Sequence, residues 1–156
     1  MMKSIKIKIK IINFSKKIKL FASLVLAVII IFSCKKYPEG PTISFRSKTE
    51  RLSNTWHVKQ YIENGTDKTN DFNNVFQNYV LTIRNDLSYA MSYKVLGLIN
   101  YNETGIWAFN TNKTGITFKN NANNNTSNWT ILKLMEQELW GKYLDSNKTI
   151  EIHLIP

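Results

Sequence analysis

Residues 87–95 alternate without interruption: Leu87, Tyr89, Met91, Tyr93 and Val95 are apolar or aromatic, while Ser88, Ala90, Ser92 and Lys94 between them are small or polar. Side chains of an extended chain point to opposite faces in turn, so a period of two describes a strand with one buried face and does not suit a helix. The same period places Trp56, Val58 and Ile62 on one face of 55–63, and Tyr79, Leu81 and Ile83 on one face of 78–84. Further strands fit 101–110, 115–119, 128–135, 138–144 and 148–155, which makes eight. Between them lie Asn64-Gly65-Thr66, Asn85-Asp86, 110–114, the Asn-rich run 120–127 and Asp145-Ser146-Asn147. Asn and Asp tolerate the left-handed backbone and form local side-chain turns, so these segments are hairpin connections. Short strands joined this way leave no room for crossover helices. The expectation for 50–156 is therefore an all-β fold, an eight-stranded antiparallel up-and-down barrel or half-barrel. An interior of that size either fills with side chains or holds one small ligand. The helix candidates are 48–54, ahead of the first strand, and 71–77 with Asp71 as its N-cap, each short enough to plug a barrel end.

The N-terminal third obeys different rules. Seven lysines precede Leu20 with no acidic residue among them, and they account for most of the excess of 21 Lys+Arg over 11 Asp+Glu. Once that leader is set aside, 14 basic residues face 11 acidic ones, which removes the argument for a nucleic-acid partner. From Leu20 to Phe32 run 13 uncharged, mostly apolar residues, whereas a helix needs about 20 to span a bilayer. A basic stretch, a short apolar stretch and then a small residue make the layout of a secretory signal peptide, here 1–33. The chain's one cysteine, Cys34, follows it. Ile31-Phe32-Ser33-Cys34 resembles the bacterial lipobox, with Phe32 bulkier than the usual residue at its position. That resemblance implies cleavage before Cys34, a diacylglyceryl group on its thiol and, often, acylation of the new amine. The alternative is an uncleaved anchor helix, with Lys35 and Lys36 as its flank. Each buried CH₂ of a lipid chain contributes about 0.8 kcal/mol, so two or three chains hold a protein stably on a membrane. Residues 34–49, with two prolines and little periodicity, read as the tether. Fifteen such residues reach on the order of 50 Å when extended. With no second cysteine, no disulfide can staple the exported domain, so its stability must come from packing.

Leu52, Trp56 and Val58 at the first strand, Thr104-Gly105-Ile106-Trp107-Ala108-Phe109 in mid-chain, 129–134 (Trp-Thr-Ile-Leu-Lys-Leu) and the closing 150–154 (Ile-Glu-Ile-His-Leu) resemble, in order and spacing, the small lipocalin-like lipoproteins of Gram-negative bacteria. The resemblance covers Cys34 and roughly 50–156. It implies a lipid-anchored barrel at the outer membrane and a pocket for a small apolar or amphipathic molecule; the first acid after Cys34, Glu39, comes only behind Lys35 and Lys36, so the periplasmic face is expected, with surface exposure as the alternative. In lipocalins proper the Gly-x-Trp lies on the first strand, whereas Gly105 and Trp107 lie mid-chain, so no retinoid or haem ligand is carried over, and no cofactor is expected.

On the residues themselves, Trp107 shares a face with Phe109 and reads as core, and Gly105 on that face leaves space for a neighbouring side chain or a sharp bend. Trp56, Trp129 and Trp140 read as core by the same argument. Tyr89 and Tyr93 are the candidate ligand-binding residues, because a hydroxyl inside a barrel requires a polar partner, whether ligand or water. The chemistry of an enzyme is thin. His57 and His153 fall on the outward faces of the first and last strands, where Glu63 and Glu151 are the available carboxylates, and surface histidines are the plainer reading than a metal site. Glu136 and Glu138 share a face at a hairpin without apolar enclosure, so they read as a solvated turn. No Gly-x-Ser-x-Gly and no glycine-rich phosphate loop occurs. The expectation is a protein that is not an enzyme and carries no metal. Two classes stay open: a lipid-tethered module that binds a small molecule, and a structural or protein-interaction lipoprotein with a filled core.

Overall fold

The structure, a computed structural model, describes residues 45–156. The expected signal peptide, Cys34 and the first part of the expected tether lie outside the described residues. Ser47 opens the first helix, α1 (Lys48–Leu52): its hydroxyl accepts from the Glu50 N–H, and the Glu50 carboxylate accepts from the Ser47 N–H at 2.6 Å. This reciprocal pairing satisfies two backbone donors that a helix start leaves open. The helix stops two residues earlier than its sequence pattern suggests. The Leu52 carbonyl then accepts the Trp56 indole N–H at 2.9 Å, and both side chains are completely buried.

The chain continues through β1 (Thr55–Glu63), β2 (Thr66–Asp67), α2 (Thr69–Val75), β3 (Phe76–Ile83), β4 (Ser88–Val95), β5 (Ile99–Phe109), β6 (Gly115–Asn120), β7 (Thr126–Leu134), β8 (Leu139–Asp145) and β9 (Lys148–Ile155). All pairings are antiparallel, and from β3 onward each strand pairs with the next. The last strand returns to the first, with Val58 opposite Leu154 and Tyr61 opposite Ile152. Of the two expected forms, barrel and half-barrel, the eight strands β1 and β3–β9 thereby form the closed barrel, with no free edge between first and last strand. The two-residue β2 is an addition that the sequence pattern does not announce.

Three expectations change. Opposite β9 the register steps from Val58–Leu154 to Gln60–His153, so Lys59 is an extra residue in β1. Such a bulge flips the alternation. Tyr61 packs against the core in place of Ile62. Leu87 is not the first inward residue of its strand; it sits in the β3–β4 turn at φ 67° and is exposed. Asp71 is not the N-cap of α2, which begins two residues earlier; Asp67 instead accepts from both the backbone N–H and the hydroxyl of Thr69. The Asn-rich run is the expected hairpin connection, a hydrogen-bonded turn between β6 and β7. The Asn120 side chain is buried and accepts from the Ala122 N–H, while the Asn120 and Asn125 backbones bond to each other and β7 resumes at Thr126.

Inside the barrel the half nearest α1 is filled. Leu52, Trp56, Ile83, Trp107, Leu134 and Leu154 meet there, all at most 2% exposed. The Trp107 indole N–H reaches the Arg84 carbonyl at 3.0 Å, so the one polar atom of the ring is satisfied. Trp107 is core, as its alternation with Phe109 indicates.

Candidate functional site

The other half of the barrel is hollow. A cavity of about 310 Å³ opens beneath α2, at the small end of the range for ligand pockets. The bulge at Lys59 brings Tyr61 into it, and a second register shift in β3, around Asn78 at φ 56°, brings Phe76 and Tyr79 in together. Phe72, the buried residue of α2, covers the opening: its ring stacks on Tyr61 at 4.5 Å and meets Phe76 at 5.0 Å and Tyr79 at 5.6 Å between centroids. The helix is thus held over the barrel mouth by aromatic contacts from β1 and β3.

Both sequence-predicted tyrosines line this cavity. Tyr93 lies in a stack, 5.9 Å from Tyr79 and 4.6 Å from Tyr101, with the edge of Phe76 against it. Tyr89 is almost fully buried, and its hydroxyl has the polar partner that the barrel interior demands, supplied by the protein itself: it donates to one oxygen of Glu103 at 2.5 Å. Tyr101 donates to the other oxygen at 2.7 Å. Sequence reasoning passed over Glu103, yet the signal was present. Tyr101, Glu103, Gly105, Trp107 and Phe109 occupy alternate positions of β5, so the face that buries Trp107 also carries the carboxylate inward.

Trp129, expected as core alone, forms part of the cavity wall as well. It stacks on Tyr143 at 4.8 Å with the rings nearly parallel, and its N–H donates to Ser127 at 3.0 Å. Gly141 makes this possible, because a Cβ there would lie 2.5 Å from the Trp129 ring. Asp145 stands at the rim, exposed to solvent. The cavity is therefore lined by five tyrosines, three phenylalanines and a tryptophan, with Glu103 and Asp145 as its only charged side chains among the described residues.

The surroundings hold these phenols neutral. Burial pushes the ionisation of Tyr79, Tyr89 and Tyr143 far above the ordinary range, with the neighbouring Glu103 carboxylate adding to the effect at Tyr89. The hydrogen bond to Glu103 pushes Tyr101 up to about 12. At any physiological pH these side chains are donors and aromatic faces.

The remaining candidates lie elsewhere. His57 is exposed on the outside of β1. His153 also points outward, but it is buried, because Trp140 stacks on it at 4.0 Å, and it contacts Glu151 at 2.7 Å. Trp140 is accordingly not core: it lies on the outer wall with the Lys133 ammonium 4.4 Å above its ring. Glu63 pairs with Lys148, and Glu138 with Lys133 and Lys59, while Glu136 reaches Arg46 at 3.9 Å in solvent. Among the described residues no three His, Cys, Asp or Glu side chains converge on one point.

No protein-family model matches the sequence, and no curated protein does. Solved structures do. The chain is similar to a lipocalin-like protein from Bacteroides uniformis, with a TM-score of 0.51 at 12% identity, over 67% of this chain and 97% of that one. The fold is lipocalin-like. An uncharacterized protein from Bacteroides eggerthii superposes with a TM-score of 0.47 at 6% identity, over 66% of this chain and 98% of its own. The lipocalin-like barrel here departs from a uniformly hollow one, being packed solid at the α1 end and open only under α2.

Proposed function

We propose that this protein is a non-catalytic binding module of the bacterial cell envelope, anchored by lipid on Cys34 at the outer membrane and facing the periplasm, and that its lipocalin-like barrel takes a small amphipathic molecule into the cavity beneath α2. The observation that carries this reading is the cavity itself: an aromatic chamber of about 310 Å³ at one end of a closed barrel, covered by a short helix whose buried residue, Phe72, packs on rings of the barrel wall. Apolar walls with a few placed polar groups are the usual make-up of a small-molecule site. The tether suits the role, since a stretch of this length lets the barrel stand off the membrane and turn its mouth towards solvent or lipid. Native mass spectrometry of the full chain purified from its own host tests the proposal. A co-purifying small molecule that is lost when Phe72 or Trp129 is replaced by Ala supports it, and a barrel that arrives empty and takes up no hydrophobic probe refutes it.

A second reading is favoured by one feature. The β4–β5 hairpin tip exposes Leu96, Leu98 and Ile99, an apolar patch of the kind that meets another protein. In that reading the lipoprotein is a structural or interaction partner on the envelope, and replacing these three residues by Ser would abolish its recovery with that partner.

A further inference from the structure

The lining of the cavity goes beyond "small and amphipathic". We propose that it is built for an organic cation: an amine or quaternary ammonium group carried on a small apolar body. This rests on the reading of the barrel as a binding module and names the chemistry of what it binds.

Charge inside the cavity has one sign. Glu103 lies on the inward face of β5, both its oxygens held by tyrosine hydroxyls, and Asp145 stands at the rim. No lysine, arginine or histidine lines the space, and among the described residues no ion pair reaches either carboxylate. A carboxylate moved from water into an aromatic chamber loses hydration that hydrogen bonds replace only in part, and a counter-charge is what makes such burial favourable. Glu103 is half-buried and the protein provides no counter-ion there, which leaves that place to a cationic ligand. A carboxylate also has room for more than the two donors Glu103 already accepts.

The rings supply the second half of the recognition. Tyr79 and Tyr93 stack nearly parallel in the cavity wall that also carries Glu103, and Trp129 stacks on Tyr143 within the same chamber. An aromatic face carries negative quadrupole density and attracts an ammonium group, most strongly when water is excluded. An anionic ligand would meet the same faces and both carboxylates with repulsion. The apolar part of the ligand finds Leu81, Met91 and Phe118, and the rim position of Asp145 draws a cation towards the opening.

Three probes of matched size separate the possibilities: benzyltrimethylammonium, its uncharged carbon isostere neopentylbenzene, and phenylacetate. Binding to the full chain in a sugar-based detergent is followed by tryptophan fluorescence, to which Trp129 in the wall responds, and by calorimetry. The expected result is that the cation binds tighter than its neutral isostere by on the order of tenfold, that phenylacetate is excluded, and that Glu103→Gln, which keeps the shape of the side chain, removes the preference. Asp145→Asn, an exposed change with no packing consequence, should lower cation affinity by a smaller factor. Equal binding of the cation and its isostere, or tighter binding of phenylacetate, overturns the cation assignment and leaves the binding module standing. Failure of all three to bind overturns both. Because the preference is read first on the unmodified chain, a Glu103 variant that does not fold leaves the test intact.

Discussion

Tyr89 and Gly105 face each other across β4 and β5, and the Tyr89 ring occupies the space that a side chain on Gly105 would fill. A Cβ on Gly105 would also press into the Lys119 backbone carbonyl of the next strand. The missing side chain thus lets the phenol lie against the barrel wall, from where its hydroxyl reaches Glu103 two residues along.

Gly105→Ala should therefore destabilise the barrel by about 1–3 kcal/mol, the usual cost of overpacking a close-packed site, because the backbone carbonyl cannot move aside as a flexible side chain would. Equilibrium denaturation measures it, and a wild-type midpoint in the variant would contradict the packing described.

The grip of Glu103 on two phenols is testable by alkaline titration. Tyr101 is raised from 10.0 to about 12, first by its hydrogen bond to Glu103. A raised tyrosine contributes stability that is complete below pH 10 and is lost as pH rises through about 12. In Glu103→Gln the phenol should ionise closer to 10.0, as read by ring NMR shifts. An unchanged Tyr101 titration in a folded variant would show that the carboxylate does not hold it.

The anchoring of α2 should weaken in acid. Hydrogen bonds from the Thr69 hydroxyl, then the Thr69 N–H and the Gln60 amide, lower Asp67 from 3.8 to about 2. A depressed carboxylate contributes stability that is present above 3.8 and lost as pH falls through about 2. Amide-exchange protection of Thr69–Val75 should fall across that window before protection of the barrel strands does, and Asp67→Ala should lower it already at neutral pH. Uniform loss over the whole barrel would contradict this.

Trp107 and Trp129 should separate stability from binding. Trp107→Ala removes a ring from the filled half of the barrel, at a cost of about 3–5 kcal/mol, a fall of more than about 10 °C in Tm for a domain of this size. Trp129→Ala should lower uptake of a bound molecule by the larger factor relative to its effect on Tm. The reverse pattern would exchange their roles.

Cys34→Ala should abolish labelling of the chain by radioactive fatty acid and release it from membranes. Labelling that survives the substitution would rule out Cys34 as the lipid attachment point.

The strand number and the barrel class were legible in the chain because period-two alternation and Asn-rich turns act over a few residues. Trp107 as core and Tyr89 and Tyr93 as cavity residues followed from the same short-range pattern. Glu103 was equally readable, two residues from Tyr101 and from Gly105 on one face, but a single acid within an aromatic alternation becomes conspicuous only once the barrel has closed around it. The rest depends on partners distant in sequence. Nothing near Lys59 marks the bulge that exchanges Ile62 for Tyr61, because a bulge is a mismatch with β9, some ninety residues away. Trp140 reads as core by the size of its ring, although it alternates with Glu138 and Lys142, and its stacking on His153 from the neighbouring strand assigns it to the outer wall. Whether eight strands enclose side chains or space is likewise a tertiary property. It depends on α1 driving Leu52 and Trp56 into one end while α2 lies across the other, so that one sequence pattern yields a solid half and a hollow one.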